Sequence, residues 1–65
     1  MDAYEIDYQL KRVMQEHREV DDAIHTMERQ STVDMIEIQR LKKRKLALKD
    51  QIATLEAMQH PDIIA

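Results

Sequence analysis

The chain has 65 residues and a formal net charge of −3, with one proline and no Gly, Cys, Phe or Trp. That length allows one domain and a small core. The composition excludes disulfides, thiolate metal sites, glycine-dependent hairpin turns and an aromatic β-sandwich core, and it favours helix instead. No apolar run approaches the ~18–20 residues of a membrane span, and Met1-Asp-Ala-Tyr-Glu5 is unlike a signal peptide. The expectation is a soluble, cytoplasmic protein. Single cores below about 70–80 residues rarely supply more than ~3–5 kcal/mol. With disulfides and thiolate metal sites excluded, self-association is the expected remedy.

The first predicted helix spans about 3–29. Ile6, Leu10, Val13, His17, Val20, Ile24 and Met27 recur at 4-3-4-3-4-3 spacing, a heptad seam with one polar member, His17. This half of the chain is acidic: residues 1–28 carry eight acidic and three basic groups. A turn is predicted near 30–32. Ser31 and Thr32 are helix-capping types, and Asp34 and Glu37 place negative charge in the first turn of the second helix. That helix spans about 33–58. Its seam is Ile38, Leu41, Lys45, Leu48, Ile52 and Leu55, again with one polar member, Lys45. Residues 40–49 hold six basic groups and no acidic one. Pro61 disfavours helix at the residue before it, so a short tail should occupy 61–65.

The heptad phase runs unbroken from Ile24 to Ile38, which would also suit one long helix in a parallel dimer. That arrangement would put Ser31 and Asp34 in the seam and set Lys45 against Lys45. Like charges in a seam are unfavourable. Folding back near residue 31 instead pairs Ile24 with Ile38, Val20 with Leu41, Val13 with Leu48, Leu10 with Ile52 and Ile6 with Leu55. His17 and Lys45 then share one polar layer. Glu16 faces Arg44 and Asp21 faces Lys42, with Asp7 against Glu56 as the one mismatch. The same pairings would arise in trans in an antiparallel dimer of long helices.

Glu16-His17-Arg18 with Asp21, followed by Leu41-Lys42-Lys43-Arg44-Lys45-Leu46 and Leu48-Lys49-Asp50-Gln51-Ile52, resembles the YdcH-like family of small bacterial proteins of unknown function. The resemblance covers roughly residues 10–55. It implies a helical hairpin and a bacterial cytoplasmic origin, and no established activity. The expected fold is therefore an all-α, antiparallel, coiled-coil-like two-helix hairpin over residues 1–65, self-associating into a four-helix arrangement.

The polar layer of His17 and Lys45 reads first as a register device, as polar seam residues are in coiled coils. It also reads as acid-sensitive, because a neutral imidazole accepts a hydrogen bond from an ammonium and an imidazolium does not. The basic stretch 40–49 raises the alternative of weak nucleic-acid or anionic-membrane binding. Its charges surround the helix, no aromatic residues interleave for base stacking, and the acidic first helix opposes phosphate. His17, Asp21 and His25 lie four residues apart, but the stripe drifts round the helix and the third turns away, so no metal or other cofactor is expected. The chain has no Cys, and its one serine falls in the turn. Two helices enclose no pocket for a small-molecule substrate, so catalysis is not expected. Arg40, Lys43, Leu46 and Ala53 remain as the surface for a partner. The function expected is that of a small protein–protein interaction module that binds itself or another helical protein.

Overall fold

A computed structural model describes residues 2–30 and 34–59. Two helices, α1 (Ala3–Glu28) and α2 (Met35–Gln59), pack against each other along their length as an antiparallel hairpin. The predicted tail and the two turn residues Ser31 and Thr32 lie outside the described residues.

Each helix opens on the same local signal. Asp2 is extended, and its carboxylate accepts from the Glu5 N–H at 2.9 Å. Asp34 does the same for α2, accepting from the N–H groups of Ile36 at 3.1 Å and Glu37 at 3.2 Å. Both sites share the spacing Asp-x-x-Glu: Asp2 with Glu5, Asp34 with Glu37. An aspartate cap satisfies donors that the first turn leaves open and is worth about 1 kcal/mol. Sequence reasoning placed Asp34 inside the helix; it is the cap, and α2 starts at Met35. α1 closes through Arg29 and Gln30, whose N–H groups donate to Thr26 and Met27 carbonyls.

The heptad spacing sets the packing. Ile6, Leu10 and Ile24 of α1 are buried, as are Ile38, Leu48 and Leu55 of α2. The other seam positions, including His17 and Lys45, are half-buried. At the open end Ile6, Leu10 and Leu55 form one cluster, with Val13 and Ile52 packed against it. Asp7, expected opposite Glu56, pairs along its own helix with Lys11 at 3.2 Å.

The core is narrow. Among the described residues seven large apolar side chains are exposed (Tyr4, Tyr8, Met14, Met35, Ile36, Leu46 and Met58) against six buried ones. Neither described helix is long and apolar enough to cross a membrane.

Candidate interaction site

The basic stretch of α2 is largely spent on α1. Arg44 donates to the Glu16 carboxylate. Lys45 reaches Asp21 Oδ1 at 2.6 Å. Lys42 lies 3.6 Å from Glu28 Oε2. Two of the expected pairings are thereby corrected. Lys45 does not meet His17 as its partner but passes it to reach Asp21, one helical turn nearer the closed end. Lys42 leaves Asp21 and pairs with Glu28, one heptad further on. The reason is the direction in which helical side chains lean. Each Cα–Cβ bond tilts toward the N-terminus of its own helix. On α2 that carries lysine ammoniums toward the turn, and on α1 it carries carboxylates away from the turn. A lysine of α2 therefore meets an acid whose Cα is closer to the turn than simple layer pairing gives.

Asp21 becomes the pivot of the polar layer. One oxygen accepts from Lys45, and the other lies 3.9 Å from His25 Nδ1. Its carboxyl is held below the ordinary aspartate range, chiefly by the Lys45 hydrogen bond. Partial burial opposes the shift, and the charges of Lys45, His25 and His17 add to it. The ammonium against Asp21 also accounts for the His17, Asp21, His25 stripe: the carboxylate already has its cation. No group of three or more metal-ligating side chains occurs among the described residues.

A depressed carboxylate stabilises the fold above its unfolded value and loses that contribution as pH falls through the folded value. The Asp21 contribution should be complete above about pH 3.9 and vanish below its lowered value. Asp21→Asn is therefore expected to cost stability at neutral pH and to converge with the native chain in strong acid. Thermal midpoints measured between neutral pH and strong acid test this; curves that stay parallel would refute it.

The residues left for a partner are exposed. Arg40, Lys43 and Ala53 point to solvent, and Leu46 is 64 % exposed. Leu46 does not stand alone. With Ile24 it forms the apolar part of a groove between the helices. Asp21, His25 and Glu28 form the α1 wall, and Lys42, Lys45 and Lys49 the α2 wall. The sequence singled out Leu46 but not the groove, because the groove depends on which face of α1 lies beside it. Lys49 has no acidic partner among the described residues, and neither do Arg40 and Lys43.

The model of a family described as a protein of unknown function (DUF465) matches residues 10–56. The chain belongs to this family. The match spans both motifs on which the YdcH-like resemblance rests, Glu16–Asp21 and Leu41–Ile52, and the family assigns no activity to any residue in them. No curated protein and no solved structure matches the chain.

Proposed function

We propose that the hairpin is a non-enzymatic interaction module that binds through its helix faces. The observation that carries this reading is the exposed apolar surface: among the described residues seven large apolar side chains are exposed and only six are buried, the rest of the seam being half-buried. Single exposed apolar residues are ordinary on a protein surface. Seven of them on a chain whose core holds six are a surplus that a partner would cover.

Binding of a polyanion is the weaker reading. Lys42, Arg44 and Lys45 are each engaged by a carboxylate of α1, which leaves Arg40, Lys43 and Lys49 and no flanking aromatic residue on that helix. Affinity capture from the native cell extract, at low and high salt, separates the two. An apolar helix interface should keep its partner at high salt, and Leu46→Glu should release it. A partner lost steeply with salt, yet indifferent to Leu46→Glu, would sink this reading and favour phosphate contacts.

A further inference from the structure

We infer that the groove around Leu46 receives a second copy of this chain, with the acidic wall of each copy laid on the basic wall of the other. The inference rests on the interaction reading and names its partner. Three observations carry it.

The first is extent. The groove runs along both helices, from Asp21 to Glu28 on α1 and from Lys42 to Lys49 on α2, and a standard interface removes about 800 Å² from each partner. A second hairpin presents two helices to cover it.

The second is charge. The groove is not uniformly signed. Its α1 wall offers Asp21 and Glu28, and its α2 wall offers Lys42, Lys45 and Lys49. Such a surface is complementary to itself under a two-fold rotation that places α1 of one copy over α2 of the other. A uniformly acidic or basic partner would meet one wall of like sign. Lys42 and Lys45 already pair with Glu28 and Asp21 within one copy; in an isologous contact Lys49, which no carboxylate engages among the described residues, gains an acidic neighbour.

The third is the apolar content. Heptad phase puts Met14 on the same side of α1 as Asp21 and Glu28, and Leu46 and Ala53 on the adjoining side of α2. Met14 is 47 % exposed. With α1 laid over the partner's α2, Met14 falls at the level between Leu46 and Ala53. A flexible methionine over a leucine and a small alanine is a contact that packs without a cavity. All neighbouring helices in the resulting four-helix bundle run antiparallel, the up-down-up-down arrangement.

Sedimentation equilibrium across a wide concentration range tests the inference. The native chain should pass from 7.8 kDa to twice that mass as concentration rises, with its thermal midpoint rising in step. Leu46→Glu should shift the dissociation constant at least tenfold toward monomer. Lys49→Glu breaks no ion pair among the described residues and should weaken association less. Tyr8→Glu, on the face of α1 away from the groove, should leave the dissociation constant unchanged. Circular dichroism of each variant at high concentration distinguishes loss of association from loss of the hairpin. A native chain that remains monomeric at every concentration overturns the second copy. So does a dimer that Leu46→Glu and Lys49→Glu leave intact while Tyr8→Glu breaks it. Neither result touches the broader interaction reading if Leu46→Glu still releases a captured partner; a monomer whose captured partner ignores Leu46→Glu overturns both.

Discussion

Leu48→Ala is expected to unfold the hairpin. Leu48 is the most deeply buried side chain, 2 % exposed. Truncating a buried leucine to alanine costs about 2–5 kcal/mol, from lost transfer energy and the cavity left behind. A core of this size rarely supplies more than ~3–5 kcal/mol in total. The substitution therefore removes most or all of the stability, and far-ultraviolet circular dichroism at room temperature should show the helix signal largely gone. The matching control lies two residues away. Leu46→Ala makes the same chemical change on the same helix, where 64 % of the side chain already meets water. Measured at a dilution where chains are apart, it should move the stability of the hairpin by no more than about 0.5 kcal/mol. Equal losses from the two would mean that the two helices do not pack along the seam described.

The second expected result has the opposite sign. Lys45→Leu should raise the thermal midpoint. Lys45 occupies a seam position between Leu41 and Leu48, and its side chain is 40 % exposed. Its bond to Asp21 is solvated, and such pairs add little to stability. A leucine there would bury apolar surface at roughly 25 cal/mol per Å² and fill the one gap in the α2 seam. The net gain should be about 1 kcal/mol, or roughly 4–8 °C for a domain of this size. The cost should fall on uniqueness. With Lys45 gone, the seam from Ile38 to Leu55 is wholly apolar and no longer penalises a copy of itself across a parallel dimer. Sedimentation of the Lys45→Leu chain should show a broader mixture of masses than the native one. A lower midpoint with a single sharp mass would show that the Asp21 pair outweighs the seam.

These two substitutions mark what was legible in the sequence. The seams were, because heptad spacing is a one-dimensional signal: every described seam residue from Ile6 to Met27 and from Ile38 to Leu55 is buried or half-buried. The same spacing disfavours a parallel dimer, with His17 and Lys45 too costly to face their own copies, but it fits a hairpin and an antiparallel dimer of long helices alike; the resemblance to the YdcH-like family is what points to the hairpin. The polar contacts were less legible. Layer pairing treats a side chain as a point at its Cα, whereas a lysine carries its charge several ångströms along the helix. That displacement is why Asp21, read as a flanking residue, is the centre of the layer, and why Glu28, assigned no role, holds Lys42. The caps are ambiguous for a simpler reason. Asp2 and Asp34 each stand three residues before a glutamate, a recurring start signal, but Ser31 and Thr32 are capping types as well. The groove around Leu46 needed both helices in place before it could be seen.

The paired start signals also bear on how the hairpin forms. Asp2 and Asp34 let each helix begin from contacts within four residues of its first turn, without help from the other. Docking is then the remaining step, and the nearest buried partners, Ile24 and Ile38, are only fourteen residues apart in the sequence. Closing a chain segment of about ten residues takes about 10–100 ns, and chains dominated by local contacts fold in microseconds to milliseconds. The closed end can thus seal first and the seam zip outward to Ile6 and Leu55, so that the open end, last to join, is also the first to fray.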